Sequence, residues 1–419
     1  MKPSGIEWIG DIPDDWEVRK LLSLFKEHKD RNKNLEEQNL LSLSYGKIKR
    51  KDINNNDGLL PASFETYNIV EKGDIVFRLT DLQNDKRSLR TGIVTQRGII
   101  TSAYVTIRPK IKLDSRFYHY LYHMYDICKV FYGMGDGVRQ GMGFEDLKNI
   151  PTLIPPLKTQ QKIADYLDEK CGEIDATIAK QKESIEKLKA YKQSLISETV
   201  TKGLDKSAPL KPSGIDYLGD IPSHWEIKKL KYVAKLDPTI SEFLSDNDIV
   251  SFAPMECLGE QTLSPYETEY GKVKGKYTYF ANEDIIMAKV TPCFENGNIA
   301  IAKNLKNNVG FGSSELFVFR TKSVSSSFLM YTLYSEPFKS LAKSTMYGTG
   351  GLKRVSPNFI LNYKIPLPPL KAQESIADYL DSKCSQIDKY ITEKQNIIQK
   401  LDAYKKSLIF ECVTGKKRI

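Results

Sequence analysis

The sequence predicts an α+β protein. Two mixed α/β globular domains are joined by two long antiparallel helices that pair as an intramolecular coiled coil, the whole forming a pseudo-twofold internal repeat. Three observations lead there. Lys2–Leu21 (KPSGIEWIGDIPDDWEVRKL) returns as Lys211–Leu230 (KPSGIDYLGDIPSHWEIKKL), with 13 of 20 positions identical at an offset of 209. Pro155–Thr201 returns as Pro368–Thr414 without a gap at an offset of 213, with 28 of 47 positions identical. Between the echoes lie two stretches, 22–150 and 231–365, that barely resemble each other. A framework kept in duplicate around two divergent surfaces suits a molecule that reads two different things, and repeats of this kind decide the architecture.

The long repeat is the clearest element. Leu167, Cys171, Ile174, Ile178, Ile185, Leu188 and Leu195 recur at spacings of three, four or seven. The second copy carries Leu380, Cys384, Ile387, Ile391, Ile398, Leu401 and Leu408 at the matching positions. Polar and charged residues surround this stripe, as in a coiled-coil helix. Proline-rich segments, IPTLIPPLKTQQ (150–161) and IPLPPLKAQE (365–374), forbid earlier helix and mark the starts. About 40 residues at ~1.5 Å each make a rod of roughly 60 Å. Its apolar stripe needs a partner: the other copy, which places a globular domain at each end, or another chain. The divisions are 1–154 for the first domain, 155–203 for the first helix, 204–367 for the second domain and 368–419 for the second helix.

Within the domains, strands are expected at Gly73–Phe77, Gly98–Ile100, Tyr104–Ile107, Asp284–Met287 and Leu316–Phe319. Helices are expected at Phe117–Val130 and Phe328–Lys343, and a polar linker at Thr201–Ala208.

A chain of 419 residues exceeds one ordinary core. No stretch approaches the ~20 apolar residues of a membrane span, and MKPSGIEWIGDIPDDW lacks a signal peptide's apolar segment, so a cytoplasmic location is expected. Six cysteines without CxxC spacing argue against disulfides and structural zinc, and Cys171 and Cys384 read as small apolar seam residues. A net charge of +9 is compatible with a polyanionic partner.

Catalytic patterns are weak. Asp14 and Glu27-His28-Lys29 fit a loose metal-nuclease spacing, but the framework copy has Ser223 in place of Asp14. His119 and His123 form H-x3-H without a zincin glutamate. The glycine clusters at 132–137 and 347–351 do not sit between a strand and a long helix, so neither reads as a dinucleotide loop. No phosphate-binding GxxxxGK[ST] and no nucleophile elbow is present.

Binding patterns are better placed. The loop 77–90 holds Arg78, Thr80, Gln83, Asn84, Lys86, Arg87 and Arg90, and Arg139 and Gln140 follow the first glycine cluster. The second domain offers Lys289, Thr291, Asn296, Asn298, Ser313 and Ser314, with Lys353 and Arg354 after its glycine cluster. Arg, Gln and Asn make paired hydrogen bonds to base edges, whereas Lys, Ser and Thr suit phosphates. The glycine clusters read equally as turns that return the chain to the helix, and the polar loops more often as simply solvated.

The doubled framework, the IPPLKTQQKIADYLD and LPPLKAQESIADYLD helix starts, FRLTDLQNDKRSLRTG and TPCFENGN together resemble the specificity subunits of type I restriction–modification systems. The resemblance spans essentially the whole chain. It implies two target recognition domains, each followed by a long helix, that read a bipartite, asymmetric site in double-stranded DNA. It also implies a non-catalytic subunit that positions two modification (adenine methyltransferase) subunits and the restriction subunits. S-adenosylmethionine, ATP and Mg are then expected on those partners and no cofactor on this chain. One departure is that family helix starts often read PPLxEQ, whereas this chain has Lys158-Thr159-Gln160 and Lys371-Ala372-Gln373. A non-catalytic scaffold for proteins or glycans is the alternative.

Overall fold

The computed structural model describes residues 1–53, 63–80, 82, 89–133, 141–240, 244–349 and 351–419. The chain divides into two compact units, Met1–Gln181 with Gln395–Ile419, and Lys182–Lys394. The division falls inside both long helices, Leu157–Lys202 and Leu370–Val413, which are 46 and 44 residues long.

In the first unit a four-stranded antiparallel sheet has the order Phe25–Glu27, Val105–Pro109, Ile75–Phe77, Thr91–Ile93. Ile75, Phe77 and Ile107 face a core shared with Phe117, Leu121 and Tyr125 of the helix Ser115–Ile127. Asp114 opens that helix by accepting from the Arg116 amide, an ordinary N-cap. The start of the first long helix closes the core through Ile163, Leu167, Cys171, Ile174 and Ile178, and the end of the second through Leu408, Ile409, Cys412 and Val413. The two helices therefore run antiparallel within this unit. Each fully buried large side chain contributes about 1.5–3 kcal/mol.

The second unit repeats the plan, with different side chains in its sheet and the same ones where the long helices meet. Its sheet order is Ala234–Leu236, Leu316–Thr321, Ile285–Ala288, Ile299–Ile301, again antiparallel throughout. Ile196 and Val200 from the end of the first long helix meet Ile376, Leu380 and Cys384 from the start of the second. This unit also carries a second sheet, in the order Tyr266–Glu269, Ile249–Ala253, Val309–Gly312, Thr278–Ala281, with one parallel pair between Ile249–Ala253 and Val309–Gly312.

The fourteen expected seam residues are all buried or partly buried. Ile185 and Ile387 are as buried as the core positions, whereas Leu188, Leu195, Ile391, Ile398 and Leu401 are partly covered. Every expected strand is present within one or two residues. The helix expected over Phe328–Lys343 is instead two, Ser326–Tyr334 and Glu336–Ser344. Ser335 caps the break in an extended conformation, and Pro337 lacks the amide that would have continued the first helix. The expected linker lies largely outside regular structure: the first long helix takes its first two residues and ends at Lys202, followed by Gly203, whose φ of +75° L side chains rarely adopt.

The proline-rich segments do more than stop a helix. Pro151–Ile154 pairs with Glu17–Lys20, and Lys364–Leu367 with Glu226–Lys229. Each framework segment is thus tied by a two-stranded ribbon to the chain just ahead of a long helix.

Candidate nucleic-acid interface

In each unit a loop leaves the central sheet strand and is hydrogen-bonded to the segment that leads on to a long helix. In the first unit the Met142 amide donates to Leu79 O at 2.9 Å. In the second, Thr291 N donates to Lys353 O and Val355 N to Lys289 O, both at 2.9 Å. These two junctions carry most of the candidate binding residues.

The first junction holds Arg78, Thr80 and Arg90. Arg78 is partly buried with no side-chain acceptor among the described residues, and Thr80 is exposed. Arg90 corrects the expectation, because its side chain is fully buried. Its guanidinium donates to Tyr132 Oη, to Arg78 O at 3.2 Å and to Thr80 O at 2.8 Å, while its amide donates to Asp126 Oδ2 at 2.7 Å. Arg90 is the brace that shapes the loop bearing Arg78 and Thr80. Gln83, Asn84, Lys86, Arg87, Arg139 and Gln140 lie outside the described residues.

The second junction brings together Lys289, Thr291, Lys353 and Arg354. The Thr291 hydroxyl donates to Gly351 O at 2.8 Å and accepts from Lys353 N at 3.0 Å, so it is spent on the loop itself. Arg354 forms a bidentate pair with Glu315, both contacts at 2.8 Å. That hydrogen-bonded pair holds the Glu315 carboxyl below the usual carboxylate range. Lys289 sits partly buried with its amine 5.5 Å from the centre of the Phe317 ring, and Lys353 is exposed. Asn298 and Ser313 prove internal: the Asn298 amide donates to Leu258 O at 2.8 Å, and Ser313 Oγ accepts from Glu315 N. Asn296 and Ser314 are exposed.

Sequence reasoning missed three kinds of interaction that occur once in each unit. Asp74, just ahead of its sheet strand, accepts two bonds from Arg108 at 2.7 Å, and Asp284 does the same for Arg320 at 2.9 and 2.7 Å. Gln160 accepts from the Asp114 amide and donates to Pro155 O, and Gln373 accepts from the Ser325 amide and donates to Pro368 O. The Tyr120 hydroxyl donates to Asp168, and the Tyr331 hydroxyl to Asp381. The glutamines fix each long-helix start to the N-terminus of the neighbouring domain helix, so the helix-start departure noted above leaves this anchor intact.

The weak catalytic patterns stay apart. Asp14 pairs with the N-terminal amine at 2.9 Å and Glu27 with Lys29 at 2.7 Å. No cluster of three or more metal-ligating side chains exists among the described residues. His119 and His123 sit on one helix with ring centres 6.1 Å apart, and burial lowers their pKa values to about 4 and about 3. The six cysteines are free thiols, and burial pushes the Cys384 thiol up to about 11. No helix among the described residues is long and apolar enough to cross a membrane.

Comparison with known proteins adds independent weight. The family model described as "Type I restriction modification DNA specificity domain" matches residues 13–189 and again 222–403. The chain is 31% identical over 282 residues to the type I restriction enzyme EcoEI specificity subunit of Escherichia coli, covering 64% of this chain and 44% of that protein. It is 34% identical over 269 residues to the EcoAI specificity subunit, covering 62% and 42%. Both alignments thus span under half of those relatives. The MjaVIII specificity subunit of Methanocaldococcus jannaschii is 25% identical, over 97% of this chain and 94% of that one. Among solved structures, a chain from a study of complex assembly and conformational transition of the type I R-M system superposes with a TM-score of 0.70 at 16% identity, covering 97% of this chain and 100% of that one. The HsdS subunit from Thermoanaerobacter tengcongensis gives 0.52 at 16% identity, covering 97% and 98%. These structures bear on the fold alone.

Proposed function

We infer that this chain, which belongs to the family of type I restriction–modification DNA specificity domains, reads a bipartite and asymmetric site in double-stranded DNA. One observation carries the reading: the same sheet and the same strand-to-helix junction occur in both units, yet the side chains displayed there differ. Unlike junctions on like frameworks read unlike half-sites. Base readout falls to side chains such as Arg78 and Asn296, and phosphate contact to Ser314 and Lys353, while Arg90, Thr291, Asn298, Ser313 and the Glu315-paired Arg354 hold the loops in shape.

The chain itself is non-catalytic in this reading and works in the cytoplasm on DNA. The duplicated framework offers two equivalent docking sites, hence two modification subunits per chain, with restriction subunits joining them. Adenine methylation draws on S-adenosylmethionine, and cleavage on ATP and Mg, all held by those partners.

The test is a methylation assay with the chain, its modification subunits and a library of duplexes. Selective adenine modification at one sequence with two fixed parts and a fixed gap is expected. Modification without sequence preference, or retention of proteins or glycans without duplex DNA, contradicts the reading.

A further inference from the structure

A hairpin in the first unit lies outside every residue so far assigned to the interface. Leu41–Ser44 pairs with Lys47–Arg50, and the turn residues Tyr45 and Gly46 have φ values of +47° and +76°. Two consecutive left-handed residues make the tight turn that suits a twisted hairpin. Leu41 and Leu43 face Arg50 and Ile48 on the inner side, while Ser42 faces Lys49 and Ser44 faces Lys47 on the outer side. The inner side rests on the strand Thr91–Ile93: a Cβ at Gly92 would stand 2.6 Å from Leu43 Cδ1 and 3.1 Å from Ile48 Cδ1. A Cβ at Gly46 would stand 3.1 Å from Leu89 Cβ. The hairpin tip therefore abuts the end of the loop that Arg90 braces, at the first junction.

Its chemistry is one-sided. Lys47–Asp52 holds four cations and a single acid. Lys47 lies 3.6 Å from Asp175 and is already engaged. Lys49, Arg50 and Lys51 are exposed and have no ion-pair partner among the described residues. Tyr45, at the tip, is 77% exposed. Three consecutive exposed cations at the open end of the hairpin, Lys49 across from Ser42, Arg50 across from Leu41 and Lys51 just beyond, match a phosphate backbone running along the unit whose loop the tip abuts. The second unit's peripheral pair, Ile249–Ala253 with Tyr266–Glu269, carries Glu267 and Glu269 instead.

We propose that the hairpin Leu41–Arg50, with Lys51, is a phosphate clamp that grips the duplex backbone beside the half-site read by the first unit, Lys49, Arg50 and Lys51 each meeting a phosphate and Tyr45 packing on the adjoining sugar. This rests on the DNA-reading function proposed above. It makes the salt dependence of binding lopsided, with more of it residing at one half-site.

The experiment measures duplex affinity against salt for the full chain with its modification subunits. Each phosphate contact adds about 0.9 to the slope of log K against log salt. Lys49→Gln/Arg50→Gln/Lys51→Gln flattens the slope by about 2–3 and weakens binding at least about tenfold at low salt, equally on cognate and scrambled duplexes. Tyr45→Ser weakens binding with the slope unchanged. A charge-matched control, Lys26→Gln/Lys72→Gln/Lys112→Gln, keeps the wild-type slope, and its melting curve and the triple variant's match the wild type. Phosphate footprinting of the triple variant loses protection at one half-site only. A wild-type slope in the triple variant, or loss of partner assembly with DNA affinity intact, overturns the clamp. Absence of duplex binding by the wild-type complex overturns the parent reading and the clamp with it.

Discussion

Lys405 Nζ lies 2.6 Å from Asp175 Oδ1 across the helix seam of the first unit, and Lys192 Nζ lies 2.9 Å from Asp388 Oδ2 across that of the second. The four residues are one pair written twice, since Asp388 stands 213 positions after Asp175 and Lys405 213 after Lys192. Lys192 is only 7% exposed and also lies 3.4 Å from Glu260. A charged layer in an apolar seam is a costly way to gain stability and an effective way to fix register, because any slip leaves a buried charge unpaired. Lys192→Ala is expected to destabilise the second unit by about 1–3 kcal/mol. A double-mutant cycle with Asp388→Ala should show coupling of about 1 kcal/mol in denaturant titrations, and additive single effects would contradict the lock.

The Asp74–Arg108 and Asp284–Arg320 pairs give a second expectation. Both carboxylates are nearly buried, at 2% side-chain exposure. Asp284→Ala strands a guanidinium beside the sheet and should cost about 3 kcal/mol. Glu183→Ala, which breaks the solvent-exposed Glu183–Lys187 pair, should leave the melting temperature nearly unchanged. Equal losses in thermal melts would contradict the burial argument.

How much of this was legible in the sequence depends on where each partner sat. The seam was readable because Leu167 to Leu195 and Leu380 to Leu408 keep their period and repeat. The Asp74–Arg108 pair was not, since its members lie 34 residues apart in a stretch without repeat or pattern. Arg90 shows why candidate ligands mislead: the donors that suit a base edge equally suit backbone carbonyls, and only the fold decides between them. The break at Ser335 was foreshadowed by Pro337, which a hydrophobic pattern alone passes over. The ribbon of Pro151–Ile154 on Glu17–Lys20 is hidden in the sequence because its prolines signal a helix start more strongly than a strand.

Gln160 and Gln373 must each donate and accept at once. Gln373→Glu keeps the acceptor for the Ser325 amide but cannot donate to Pro368 O when ionised. The expected cost is about 1–3 kcal/mol at neutral pH, largely relieved as the carboxyl protonates in mild acid. A pH-independent loss would show that the side chain merely fills space.

His119 and His123 predict an acid-labile first unit. Burial holds both imidazoles neutral in the folded state, with pKa values of about 4 and about 3 against an ordinary value of 6.5. The unfolded chain therefore binds protons that the folded unit refuses, so stability is full above about pH 6.5 and declines as pH falls from there towards 4. His119→Leu/His123→Leu should flatten that decline in pH-dependent melts. An unchanged slope would assign the acid lability elsewhere.

The central claim is that two unlike readers stand on one duplicated framework. Its most direct test replaces residues 231–365 with the corresponding stretch of another specificity subunit and maps the methylated adenines in DNA from cells carrying the hybrid and its partner subunits. One half of the recognised site should change, while the other half and the gap between them stay as in the wild type. A hybrid that alters both halves, or neither, contradicts the account.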